Sequence, residues 1–263
     1  MARRLKKLPS ISNVAAGSTA TLELPRGLSY HQIILKYTNV TLAQMKNIRM
    51  EVNGKVFQTY KDGAELNTIN GHFNRGLAEN GFIVLHFARP ELDDLLQQRT
   101  FALGTADIST LALRIDIDGA ATDPKLEAHA LQGQDAPMGY ITKVKSYPVS
   151  YATSGVHELD KLPTPASARI AAIHLMTDKV SHAELEVDGN IAFQAEKLLE
   201  AKIQKDAGRV PTTGKFTLDF IKENDTAQAQ VLAGVQDFRI RMDLTEATAF
   251  NVLVEYLDIQ QGL

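Results

Sequence analysis

The tetrapeptide Glu51-Val52-Asn53-Gly54 returns as Glu186-Val187-Asp188-Gly189, at an offset (186 − 51 = 135) of about half the chain. Asn-Gly and Asp-Gly are the strongest two-residue hairpin signals, because a type I′ turn needs positive φ at both central residues and these types tolerate it. Each copy lies between alternating runs. Arg49 to Val52 leads into Lys55-Val56-Phe57-Gln58, and Glu184 to Val187 leads into Asn190 to Gln194. Two such hairpins half a chain apart, followed by the same order of elements, predict a duplicated β domain.

The rest of the chain supports that reading. In the first half, Thr21 to Leu24, Ile33 to Leu35, Phe82 to Phe87, Leu111 to Asp118 and Leu126 to Leu131 read as strands. Residues 61–81, rich in Gly, Asn and Asp, read as a long loop, and Pro90 is placed to start a helix ending near Arg99. Residues 132–139 carry the turn residues of a boundary. In the second half Ile141 to Tyr151 reads as an opening strand, followed by Arg169 to Leu175 and the second hairpin. A helix is expected over Gln194 to Asp206, with Leu198, Leu199 and Ile203 as its stripe and Gly208 closing it. Phe216 to Phe220, a short helix capped by Asp225-Thr226, Phe238 to Asp243 and Phe250 to Tyr256 follow. Matching halves give offsets of 133 from Leu85 to Leu218 and 125 from Arg114 to Arg239. About eight short strands per half predict an all-β chain of two tandem eight-stranded jelly rolls, with short helices in loops. The expected division is a basic arm over 1–11, a first roll over 12–136 and a second over 137–263. Immunoglobulin-like halves are the competing fold; the absence of Trp and Cys argues against them.

Composition narrows the function. Hydrophobic residues at 44% suffice for real cores, and nine Pro with 17 Gly are too few for a disordered or fibrous chain. With no cysteine there are no disulfides, thiolate nucleophiles or thiolate metal ligands, which fits cytosolic synthesis. The N-terminus lacks the apolar stretch of a secretory signal. A net charge of −3 does not suit direct nucleic-acid binding. Only Arg3, Arg4, Lys6 and Lys7 form a basic cluster, readable as an arm meeting an anionic surface or as a frayed terminus.

Catalytic patterns are missing. The seven histidines are scattered, with no His-x-His or His-Glu-x-x-His, no Gly-rich phosphate loop and no Gly-x-Ser-x-Gly elbow. The best metal candidate is Asp116, Asp118 and Asp123, which could gather Ca²⁺ between a strand face and a loop; a solvated polar face is the plainer reading.

Several stretches resemble the major capsid proteins of corticoviruses, bacteriophages with a membrane beneath an icosahedral shell. They are Asn13 to Gly17, Lys46 to Arg49, Phe87 to Glu91, Gln97 to Thr105, Ile115 to Asp118, Pro124 to Leu126, Arg169 to His174 and Val254 to Tyr256, in family order. Gln97 to Thr105 is the most specific; residues 1–10 and 138–168 depart from the pattern. The resemblance implies a structural virion subunit without catalysis or required cofactor, made in the host bacterial cytoplasm. It also implies a pseudo-hexagonal homotrimer that meets neighbouring capsid trimers, vertex proteins, and an internal viral membrane or its minor proteins. Gln97, Gln98 and Arg99 are the expected trimer contacts, with Arg99 capping the C-terminus of its own helix as the alternative, and Arg3, Arg4, Lys6 and Lys7 the expected membrane-facing residues. The alternatives are a duplicated jelly-roll protein binding carbohydrate or a receptor, and a cupin-like metalloenzyme, which the histidine spacing disfavours.

Overall fold

The structure, a computed structural model, describes residues 3–259. The chain divides into two compact units, the first running to Val144 and the second covering Lys145–Asp258.

The first unit contains β1 (Arg4–Lys7), β2 (Thr19–Glu23), β3 (Gly27–Thr38), β4 (Met45–Val52), β5 (Lys55–Asp62), α1 (Gly63–His72), β6 (Phe82–His86), α2 (Leu95–Thr100), β7 (Leu103–Thr105), β8 (Leu111–Ile117) and β9 (Lys125–Asp135). It also holds the start of β10 (Ile141–Tyr151), where Val144 pairs in parallel with Gln58. The rest of β10 opens the second unit. There follow β11 (Gly155–Leu159), β12 (Arg169–Leu175), β13 (Val180–Val187), β14 (Asn190–Glu196), α3 (Lys197–Asp206), β15 (Phe216–Asp219), β16 (Gln230–Val231), β17 (Phe238–Leu244) and β18 (Thr248–Asp258).

Each unit is a pair of sheets with the same strand order. The first has β1-β9-β3-β6 and β2-β8-β4-β5; the second has β10-β18-β12-β15 and β11-β17-β13-β14. The short β7 adds to β3, and the short β16 adds to the equivalent β12. Alternation puts one face of each strand inside: Phe238, Ile240, Met242 and Leu244 of β17 are buried while Arg239, Arg241 and Asp243 lie outward. The two-jelly-roll architecture expected from the sequence is the one found.

The duplication reaches single hydrogen bonds. Asn53 and Gly54 have φ of 51° and 77°, and Asp188 and Gly189 have 48° and 80°. A bulge interrupts both hairpins at the same place, between Met50 and Glu51 and between Leu185 and Glu186. Asn53 Oδ1 accepts from the Ser109 and Thr110 amides at 2.7 and 3.0 Å. Asp188 Oδ1 accepts from the Gln236 and Asp237 amides at 2.9 and 2.8 Å. The turn residue therefore needs both left-handed tolerance and an acceptor. Asn53→Asp keeps both and is expected to leave the denaturant midpoint nearly unchanged. Asn53→Ala should lose about 2 kcal/mol; equal losses in the two variants would refute this role. The pairing of these strands also corrects one expected match, since Glu51 pairs with Ala112 and Glu186 with Arg239. Arg114 thus corresponds to Arg241, not to Arg239.

Four local expectations change. Residues 61–81 are not one loop, because α1 fills their first half. Asp62 caps it by accepting from the Glu65 amide at 2.8 Å, Glu65 accepts from the Lys61 amide at 2.6 Å, and Leu66 and Ile69 are buried. Its glycines serve packing: a Cβ at Gly63 would lie 2.8 Å from the Leu42 carbonyl oxygen. The helix after Pro90 begins only at Leu95, capped by Asp94, whose carboxylate accepts from the Leu96 and Gln97 amides. Residues 194–196 belong to β14, and α3 is inverted relative to expectation. Leu198, Leu199 and Ile203 are 84%, 55% and 40% exposed, while Glu200 and Gln204 are buried. Gln204 Nε2 donates to Glu200 Oε1 and to the Thr217 carbonyl at 2.9 and 2.8 Å, and Lys222 neutralises Glu200 at 3.0 Å. Polar groups with fixed partners hold this helix down, so its apolar side chains are left outside. The helix expected after Asp225 is a single turn, Thr226–Gln228.

Candidate assembly surfaces

The basic N-terminal residues are not a free arm. Arg4–Lys7 form β1, antiparallel to β9 with Arg4 opposite Gln132 and Lys7 opposite His129. The next residue stays attached: the Leu8 amide donates to the Ala128 carbonyl and its side chain is buried. Leu5 is 64% exposed. Lys7 pairs with Glu127 at 3.3 Å, both exposed. Arg4 and Lys6 share one face of β1 and line a surface cavity with Leu28 and residues 132–135. The sequence signal for this strand was the second half: Ile141 to Tyr151 opens that roll, so the first roll requires a counterpart before Thr19.

Gln97, Gln98 and Arg99 lie on α2 but do not act alike. Gln98 turns inward, donating from Nε2 to the Leu92 carbonyl at 2.6 Å while its own carbonyl accepts from the Arg89 amide. Arg99 is exposed in the last turn, where a cation suits the helix dipole. Beside it Leu95 and Leu96 are 54% and 77% exposed.

Asp116, Asp118 and Asp123, the expected calcium ligands, each lie against partners of their own chain. Asp116 accepts from Thr19 Oγ1, Asn47 Nδ2 and Arg49 Nη2 at 2.8, 2.9 and 3.1 Å. Asp118 pairs with Lys46 and accepts from the Ala120 amide at 2.8 Å. Asp123 faces Lys125 at 3.1 Å. Each carboxylate already has a cation of its own, and among the described residues no three acidic or histidine side chains converge as metal ligands.

Sequence reasoning missed the buried charges. Arg75 grips Glu91 with two bonds of 2.8 and 2.6 Å, and Arg89 Nε adds a third at 2.9 Å. All three side chains are at most 6% exposed. Both guanidiniums sit over Phe73, their carbons 4.3 and 5.1 Å from the ring centroid. Burial works against the Glu91 charge, but Arg75 and Arg89 prevail and hold its carboxyl below the usual range. The second unit repeats the device with exchanged parts. Arg209 is the counterpart of Arg75 and pairs with Asp219 at 2.8 Å, both fully buried. Asp219 occupies the position of His86, and Asn224, which accepts from Arg209, that of Glu91. In both units the arginine follows a ten-residue helix and fixes the chain where it leaves the next strand.

Lys215 is buried near this cluster and donates to Thr217 Oγ1 at 3.0 Å; the His174 ring bonds the same oxygen at 2.9 Å. Burial pushes the Lys215 ammonium down from 10.5 to about 7, against the pull of Asp219 and Glu255. The unfolded chain then holds this proton more tightly between pH 7 and 10.5, so stability should rise with pH there. We expect a slope of about 1.4 kcal/mol per unit between pH 7.5 and 9, absent in Lys215→Met; equal slopes would refute the assignment.

The profile of the viral coat protein P2 N-terminal domain matches residues 5–134, and that of the P2 C-terminal domain matches residues 141–260. The chain belongs to the viral coat protein P2 family. Within it, the chain is 34% identical over 264 residues to the major capsid protein P2 of Pseudoalteromonas phage PM2, covering 98% of this chain and 97% of that one. The crystal structure of that P2 superposes with a TM-score of 0.95 at 34% identity, over 99% and 100% of the two chains. The fold is shared more widely. The atomic structure of Sulfolobus turreted icosahedral virus gives a TM-score of 0.69 at 14% identity, over 98% of this chain and 91% of that one. The PBCV-1 virus capsid gives 0.66 at 10%, over 99% and 95%. As a P2 protein the chain is a viral capsid protein, a component of the virion shell.

Proposed function

We propose that this capsid subunit works as a closed homotrimer that tiles an icosahedral shell over an internal membrane, with no catalytic role. The observation that carries the reading is the duplication. Two rolls of identical strand order in one chain let three copies present six similar modules, which suits a hexagonal outline. A three-fold ring also satisfies a head-to-tail contact without open polymerisation. Arg99, with the exposed Leu95 and Leu96 beside it, is the proposed contact, and burial above about 2,000 Å² per interface is expected of an obligate assembly. Neighbouring trimers and vertex proteins are the further partners. Synthesis in the host bacterial cytoplasm suits a chain without cysteine.

Arg99→Ala tests the contact: a lowered trimer melting temperature supports it, and an unchanged one removes Arg99 from the interface. The membrane role rests on Arg3, Arg4, Lys6 and Lys7. Because β1 is part of a sheet, deletion would uncover β9, so neutralisation to Gln is the cleaner variant. Wild-type trimers should float with acidic vesicles at low salt, and less as the Debye length shrinks to about 3 Å at 1 M. Equal flotation of the neutralised variant would sink the membrane role.

A further inference from the structure

Where Arg99 approaches the N-terminal segment, the first unit has a cavity of about 360 Å³ lined by Arg3, Ser29, His31, Arg99, Gly133 and Asp135, among others. Its floor is built. Ser29 and His31 are 8% and 6% exposed, and among the described residues His31 Nδ1 has no hydrogen-bond partner. A Cβ on Gly133 would come within 2.6 Å of Ser29 Oγ and 2.9 Å of His31 Nε2. The missing side chain therefore keeps open the space in front of a hydroxyl and an imidazole nitrogen. Arg3 and Arg99 line the rim, and neither guanidinium has an ion pair among the described residues. One acidic side chain, Asp135, shares the lining.

We propose that this cavity binds a phosphate-type oxyanion, held by the guanidiniums of Arg3 and Arg99 at the rim and by Ser29 Oγ and His31 Nε2 at the floor. Guanidinium forks match tetrahedral oxyanions, and the hydroxyl and imidazole are neutral donors in a part of the site that little water reaches. The adjoining cavity continues from residues 133–135 to Arg4, Lys6 and Leu28. It offers two more cations and one partly exposed apolar side chain to whatever is esterified to the phosphate. A phosphate ester thus fits better than a carboxylate, and the phosphate can come from solution or from a lipid headgroup. Phosphate binding here does not depend on the membrane reading, since it can hold even where vesicle flotation fails.

The site has its own signature. Burial, with Arg3 and Arg99 adding to it, holds the His31 imidazole down to about 4. An anion facing the same ring alongside Asp135 reverses part of that field and raises the His31 value.

The test is calorimetric titration of the full-length protein at pH 7 and constant ionic strength, with inorganic phosphate, dihexanoylphosphatidylglycerol and acetate as probes. His31 is followed by NMR across pH with and without the probe that binds. Saturable binding of phosphate assigns a soluble anion, and saturable binding of the lipid alone assigns a headgroup. In either case Arg99→Gln and Arg3→Gln should weaken binding about tenfold or more, and the His31 value should rise in the wild type. Arg99 ends an exposed helix, so its variant is expected to fold; because the same side chain is the proposed trimer contact, light scattering of each variant separates loss of the trimer from loss of the anion. Binding of neither phosphate probe, unchanged affinity in both variants, or an unmoved His31 would overturn the proposal. So would acetate binding as tightly as phosphate, which would point to an acidic side chain of a second copy.

Discussion

Glu91→Ala should cost about 3–5 kcal/mol, because it leaves two buried guanidiniums without the carboxylate they share. Arg75, Arg89 and Glu91 are held by three bonds of 2.8, 2.6 and 2.9 Å in a site almost closed to water. Glu91→Gln keeps the shape and should lose less, since the amide still accepts. Arg209→Ala is the matching experiment in the second unit, where it strips Asp219 of its guanidinium. Urea midpoints of the three variants check the pairing, and a change within about 0.5 kcal/mol, as at ordinary surface sites, would contradict it.

The second large effect is acid instability. Burial lowers His86 from 6.5 to about 3, with Arg75 reinforcing and Glu91 opposing the shift. Burial also lowers His174, while Glu255 pulls the other way. A depressed imidazole is neutral in the fold and protonated in the unfolded chain below pH 6.5, so stability is full above 6.5 and falls as pH drops toward the folded values. Two such histidines give about 3 kcal/mol per pH unit once the unfolded imidazoles are charged, and His31 acts in the same direction. Below about 4.5 the depressed Glu91 carboxyl adds a further loss in the same sense. Urea unfolding at pH 7, 6 and 5 should show a steep decline, reduced by one proton in His86→Leu. A flat profile from pH 7 to 5 would overturn the burial of these rings.

The two jelly rolls were legible because hairpin turns are local chemistry. Asn53-Gly54 and Asp188-Gly189 declare their backbone angles in their residue types, and the flanking runs alternate. The helix α1 was hidden because Gly63 and Asn70 resemble loop residues. In fact Gly63 admits the Leu42 carbonyl and Asn70 donates to the Val84 carbonyl. The duplication contained the missing signal: α3, legible as a helix, has the same length as α1 and follows its hairpin in the same place. Periodicity found α3 but placed its stripe inside, since a period identifies a face and not what lies against it. Glu91 gave no sign of its role, because nothing in its neighbours announces that Arg75, sixteen residues earlier, folds over it. Of the candidate site residues, Arg99 and the basic strand carried their exposure in their composition. The cavity they help to line depends on Gly133 and His31, which only the pairing of β3 with β9 brings together.

A closed three-fold ring, in which each chain supplies two equivalent modules, has a definite mass. Light scattering of the purified protein after size exclusion measures it directly. We predict one species at three times the 28.9 kDa chain mass, unchanged on dilution to micromolar concentration. A monomer, or a mass that climbs with concentration without closing, would contradict it.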